Sequence, residues 1–119
     1  MIVYRVQDSE GRGPWRPGFS KHWVRERDDH ANLVPWMQEF GDIIPRGGSG
    51  FGKHCGCACK TIEQLRRWFS ADEYETLLSF GFQAVQMDID RVLAESDIQL
   101  VFQRQRPLRI GIEPVSLWA

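Results

Sequence analysis

Arg5 is the residue whose placement most strongly suggests chemistry, because it lies inside an apolar N-terminal segment. The alternation of residues over Ile2–Gln7 predicts a β-strand that is half-buried on each face. A half-buried guanidinium needs an anionic partner, since leaving its charge unpaired costs several kcal/mol. Two interpretations stay open for Arg5. It binds an anionic ligand, or it forms a structural ion pair with a residue such as Glu113 or Asp97.

The loop that follows this strand carries two large aromatic side chains, Trp15 and Phe19. Residues 8–20 are dense in turn formers, which continue neither a helix nor a strand. The sequence supports neither a Ser-His-Asp constellation nor an acid pair suited to glycoside hydrolysis. The arginine before a loop rich in glycine and aromatic residues is therefore the feature that favours a binding cleft.

Three cysteines, Cys55, Cys57 and Cys59, lie too close together for a disulfide framework and suit a reducing compartment. If this segment is a strand, the three thiols share one face, and His54 lies on the other with a glycine and an alanine. His54 then cannot complete a four-ligand zinc site, so we expect small, buried, inert thiols and no metal. The glycine and alanine leave room for a helix or a ligand to approach the backbone.

Size and charge indicate one small domain. The chain has 119 residues with 42% hydrophobic and 26% charged content, which is enough for one core and too little for two. A formal net charge of −1 gives no field that would attract nucleic acid or an anionic membrane. No apolar run approaches the ~20 residues that span a bilayer, and the first residues lack a signal-peptide pattern. We expect a cytoplasmic protein.

The second half of the chain carries two helix start signals. Thr61 followed by Gln64, and Ser70 followed by Glu73, have the spacing of a capping box. They predict two consecutive helices, of which the second ends at Gly81 in a left-handed cap.

Three strands are predicted after the helices, and their short connections favour an antiparallel sheet. The strands cover 82–89, 98–103 and 108–112, with a helical turn at 91–95 and a turn at 106–107. Two short helical turns are predicted within 20–40, and a loop over 43–50. The fold class is therefore α+β, with a mainly antiparallel sheet and short helices, in a single domain over 1–119.

Two resemblances follow from these motifs. Residues 4–8 and 18–20, Tyr-Arg-Val-Gln-Asp and Gly-Phe-Ser, resemble the opening of the arginine-class ADP-ribosyltransferase fold. Residues 57–61 lie where that family has a strand that ends in a serine or threonine before its helix, and residues 97–102 lie where it has its acid-x-glutamate strand. The whole chain is similar to short phage and prophage proteins, through Gly-x-Gly-Pro-aromatic, Cys-Gly and Glu-Gln-Leu-x-x-Trp-Phe.

The transferase resemblance implies a small ADP-ribosyltransferase-like domain with a split sheet and a cleft for NAD. In that cleft Arg5 holds a phosphate of NAD through its guanidinium fork. Trp15 or Phe19 stacks on the nicotinamide, and Thr61 steadies the first strand or the nicotinamide ribose.

The same resemblance places Gln99 where the family has its catalytic glutamate. An amide keeps the hydrogen bond to the ribose but supplies no negative charge to an oxocarbenium-like transition state. Asp97 lies two residues away on the same strand face and is the candidate substitute.

Two functions are compatible with these residues. The first is an NAD-binding, ADP-ribosylating phage-type effector that acts on a host or rival protein in the host cytoplasm. The second is a non-catalytic interaction protein on the same scaffold, such as an inhibitor of a host defence complex. Gln99 favours the second, whereas Arg5 and its aromatic loop favour the first. The sequence does not choose between a monomer and a homodimer.

Overall fold

The structure is a computed structural model that describes residues 1–15, 19, 22–24, 40 and 54–118. The helical turns predicted within 20–40 and the loop predicted over 43–50 lie outside the described residues, apart from 22–24 and 40. In chain order the elements are β1 (Ile2–Gln7), β2 (His54–Ala58), α1 (Ile62–Trp68), α2 (Ala71–Ser79), β3 (Gln83–Asp88), β4 (Arg91–Glu95), β5 (Leu100–Arg104) and β6 (Ile112–Pro114). No helix in these ranges is long and apolar enough to cross a membrane.

The strands form two antiparallel three-stranded sheets. The first sheet has the order β1, β3, β6 and the second the order β2, β5, β4. Within the described residues a backbone bridge joins them, in which Tyr4 and Cys59 each donate a backbone N–H to the other's carbonyl at 2.8 Å. Beyond this pair β1 and β2 continue in different sheets. The predicted α+β class and antiparallel pairing are confirmed.

Apolar side chains hold the layers together in two main clusters. One lies between the sheets and combines Val3 and Met87 of the first with Leu100 and Phe102 of the second. The other packs both helices against the opposite face of the first sheet. The alternation along β1 explains this, since successive side chains point to opposite faces and can serve both clusters.

Both predicted helix starts are confirmed. The Thr61 hydroxyl accepts a hydrogen bond from the Gln64 backbone N–H (3.1 Å), and the Gln64 side chain accepts one from the Lys60 N–H (2.8 Å). Ser70 and Glu73 form the full reciprocal box that opens α2. Gly81, with φ +89°, follows the end of α2 in the left-handed region, as predicted.

Two sequence-based predictions are wrong in the last third of the chain. The helical turn predicted at 91–95 is β4, which pairs with β5 and has a bulge between Val92 and Ala94. Of the strand predicted at 108–112, only Ile112 belongs to β6. The carbonyls of Ile110 and Gly111 accept hydrogen bonds from Nη2 of Arg104 instead of from a neighbouring strand.

Candidate anion-binding pocket

A pocket of about 460 Å³ opens where β1 and β2 part. Its walls come from β1, the turn after it, β2, α1 and the residue before β5. The side chains and backbone that matter for its chemistry belong to Arg5, Arg12, Trp15, Gly56, Trp68 and Gln99. In the part of the chain that the structure describes, the bridge between Tyr4 and Cys59 positions the site, because it fixes β1 beside the end of β2.

The Arg5 guanidinium lies against the backbone of β2. A Cβ atom at position 56 would lie 2.6 Å from Nη1 of Arg5, so only glycine leaves the guanidinium this space. The Cζ atom of Arg5 also lies 5.8 Å from the centroid of the Phe102 ring, within the range of a cation–π contact. The sequence predicted a close approach to this face by a helix or a ligand. The group that approaches is the side chain of Arg5.

Arg5 is almost fully buried, at 7% exposure, yet no described residue forms an ion pair with it. Among the described residues its buried Nε and Nη1 atoms have no hydrogen-bond partner. The ion pair with Glu113 or Asp97 is absent among the described residues, and Glu113 accepts a hydrogen bond from Gln86 instead. Buried donors left unsatisfied are rare in native proteins, so Nε and Nη1 of Arg5 mark a place where an acceptor is needed, either an ordered water or a bound anion.

Burial shifts the pKa values of the charged and polar groups here. It lowers the pKa of Arg5, against the opposing influence of Cys57, Asp8 and Cys55. An arginine nonetheless stays protonated in proteins. Burial also raises the pKa of the Cys57 thiol, which the charge of Arg5 only partly offsets. Cys57 is therefore a neutral thiol at neutral pH and provides no anion for Arg5.

Aromatic rings form the other wall of the pocket. Trp15 is 37% exposed, and its ring lies edge-on to Trp23 at 4.6 Å and to Trp68 at 6.0 Å between centroids. Phe69 lies 6.5 Å from it. The Trp23 indole N–H donates to the Pro14 carbonyl at 3.1 Å, which anchors the loop that carries Trp15. The pocket thus combines a buried cation with flat apolar surfaces.

Three of the six residues singled out from the sequence line this pocket, namely Arg5, Trp15 and Gln99. Gln99 is buried and immediately precedes β5. The structure therefore brings Arg5 and Gln99 to the same pocket.

The other three lie elsewhere. Phe19 packs against the rings of Phe80 and Phe82 at 5.5 and 5.4 Å. Thr61 caps α1, and the Asp97 carbonyl accepts a hydrogen bond from the Gln64 side chain at 2.9 Å. None of the three lines the pocket.

Sequence reasoning missed Arg12, Trp68 and Phe69 as pocket residues. Trp68 is the last residue of α1 and Phe69 is its C-cap, and their spacing from Leu65 is that of an apolar helix face, which indicates core. For Arg12 a local signal exists, because Asp8 lies four residues before it and the two form an ion pair.

The described lining of the pocket holds neither an acid nor a cluster that could bind a metal ion. No Asp or Glu is among the described residues that line the pocket. In the described ranges, no group of three His, Cys, Asp or Glu residues could hold a metal ion.

The fold and this pocket together define a small α+β protein with a buried cation beside aromatic walls. The family model described as Bacteriophage T4 Y00F protein matches residues 1–116, and the chain belongs to that family. The predicted similarity to short phage proteins is thereby confirmed. No curated protein and no solved structure matches the chain. The resemblance to ADP-ribosyltransferases stays a prediction.

Proposed function

We propose that the Arg5 pocket binds NAD or a nucleotide of the same chemistry, and that this phage protein uses the pocket against a host or rival protein. The observation that supports the proposal is the buried Arg5, whose Nε and Nη1 have no acceptor among the described residues. A phosphate oxygen is a suitable acceptor, because the guanidinium fork binds phosphate through charge-assisted hydrogen bonds.

The rest of the pocket suits a nucleotide. Its volume of about 460 Å³ lies within the range of small-molecule and cofactor sites. Trp15 and Trp68 offer apolar ring surface on which a nicotinamide or adenine ring could pack. NAD is the member of this class that the transferase resemblance implies.

The pocket supports binding better than it supports ADP-ribosyl transfer. The described lining holds Gln99 and no carboxylate, and Asp97 lies outside it. An amide hydrogen-bonds a ribose but does not stabilise an oxocarbenium-like transition state by charge. We therefore propose binding, and not ADP-ribosyl transfer, as the function of this ADP-ribosyltransferase-like scaffold.

Titration calorimetry with NAD and with ADP-ribose tests the proposal. We expect saturable binding by the unaltered protein and none by Arg5→Ala. Arg91→Ala serves as the matched control, because Arg91 is an exposed arginine of β4 outside the pocket lining. Thermal unfolding of both variants shows whether they fold. Absence of binding heat at millimolar ligand, with folded protein, would refute the proposal.

A second candidate is a non-catalytic interaction protein, such as an inhibitor of a host defence complex. The observation that favours it is the absence of a carboxylate from the described pocket lining. A carboxylate of the partner protein would then satisfy Arg5. In that case NAD fails to bind, while an aromatic peptide with a free C-terminal carboxylate binds and its amidated form does not.

A further inference from the structure

We propose that the ligand carries two linked phosphates and that Arg12 binds the second one. This inference rests on the proposed function and adds the class of ligand that the pocket prefers. It starts from the charges that line the pocket. Two arginines, Arg5 and Arg12, contribute to the described lining, whereas no acidic residue does.

A tight turn brings Arg12 back to the pocket that Arg5 enters from β1. The Asp8 N–H donates to the Arg12 carbonyl at 2.9 Å, and the Gly11 N–H donates to the Asp8 carbonyl at 3.0 Å. The Asp8 carboxylate also accepts hydrogen bonds from the backbone N–H groups of Glu10 and Arg12, both at 2.9 Å. The position of Arg12 is therefore fixed by backbone hydrogen bonds.

The Arg12 side chain is held at one nitrogen only. Its Nε donates to Oδ2 of Asp8 at 3.0 Å, and the side chain is 61% exposed. Within the described residues its two terminal nitrogens have no hydrogen-bond partner. A phosphate can therefore bind these nitrogens without breaking the ion pair with Asp8, which keeps the guanidinium in place.

The two arginines differ in a way that assigns them different phosphates. Arg5 is buried, and its Nε and Nη1 lack a partner among the described residues, so it suits the phosphate that enters deepest. Arg12 lies at the exposed rim of the pocket and suits the second phosphate, which is linked to the first. A nucleoside monophosphate would use Arg5 alone, whereas a diphosphate such as ADP or the diphosphate of NAD would use both.

Calorimetric titration of AMP, ADP, NAD and inorganic pyrophosphate tests this inference. The variant is Asp8→Asn with Arg12→Gln, which removes both charges of the ion pair and leaves the net charge unchanged. Arg91→Gln is the control, since Arg91 lies outside the pocket lining. We expect the unaltered protein and the control to bind ADP about tenfold more tightly than AMP. The double variant should bind the two equally, because it has lost the preference for ADP.

The outcomes separate this inference from the proposed function. Equal affinity for AMP and ADP in the unaltered protein would overturn the second phosphate site and leave nucleotide binding intact. An equal loss for AMP and ADP in the double variant would also overturn it. Binding of pyrophosphate that depends on Arg12, without binding of any nucleotide, would support the diphosphate site and refute the proposed function. Binding of none of the four would overturn both.

Discussion

Arg5 and Arg104 are both buried, but their surroundings differ. Arg104 is 2% exposed, and its Nη2 donates to the carbonyls of Ile110 and Gly111 at 2.6 and 3.2 Å. Its Nη1 contacts the Met87 sulfur at 3.6 Å. Arg5 has no comparable acceptors among the described residues. We therefore assign a structural role to Arg104 and a binding role to Arg5.

Replacing each arginine by methionine should change stability in opposite directions. Arg5→Met removes a buried charge that has no ion-pair partner among the described residues and should raise the free energy of unfolding by about 1–4 kcal/mol. Arg104→Met leaves the carbonyls of Ile110 and Gly111 without their hydrogen-bond donor and should lower the free energy of unfolding by about 1–3 kcal/mol. Urea denaturation without ligand measures both changes. Equal destabilisation by the two substitutions would mean that Arg5 is also a structural residue.

At the scale of elements, the helix caps separate stability from binding. Thr61→Ala and Ser70→Ala should each lower the free energy of unfolding by about 1 kcal/mol, because each removes an acceptor for a backbone N–H at a helix start. Denaturant titration measures this, and Thr61→Ser, which keeps the hydroxyl, is the matched control.

NAD affinity should stay unchanged in Thr61→Ala, since Thr61 does not line the pocket. The resemblance to transferases implies a contact between Thr61 and the first strand or the ribose. Lost affinity in Thr61→Ala at unchanged stability, restored in Thr61→Ser, would favour that contact over the capping role.

The elements that the sequence predicted correctly are those encoded by neighbouring residues. Thr61 and Ser70 each act on a residue three positions on, so their signals are local. The segment Arg91–Glu95 contains leucine, alanine and glutamate, which favour helix. Its pairing with β5 supplies backbone hydrogen bonds that override this preference, and nothing within the segment indicates that partner.

The pocket was predictable only in part for the same reason. Alternation along β1 indicates that Arg5 shares a face with Val3, and neighbouring residues are enough to show this. The contact of its guanidinium with Gly56 depends on how two sheets meet at the bridge between Tyr4 and Cys59. No spacing along the chain carries that information.

At the scale of the whole molecule, Cys59 joins the two sheets and makes stability depend on pH. Its thiol is 2% exposed, and burial raises its pKa from 9.0 to about 12. Between these values the unfolded chain loses the proton while the folded protein keeps it. The free energy of unfolding should therefore fall by a few kcal/mol as the pH rises from about 9 to about 12, and this group contributes no dependence below that window.

Denaturation at pH values across this window, compared with Cys59→Ala, measures the effect. The variant lacks the thiol and should show a smaller loss of stability, with other groups providing the remainder. Cys55→Ala is the control, since Cys55 is only half-buried. Identical pH profiles for the unaltered protein and Cys59→Ala would contradict the assignment.

The lack of space between Arg5 and position 56 also has an evolutionary consequence. A Cβ atom at position 56 would lie too close to the guanidinium, so any side chain there requires the Arg5 guanidinium to move. We therefore expect the two positions to be inherited as a pair among phage relatives, with the pocket retained or lost as a unit.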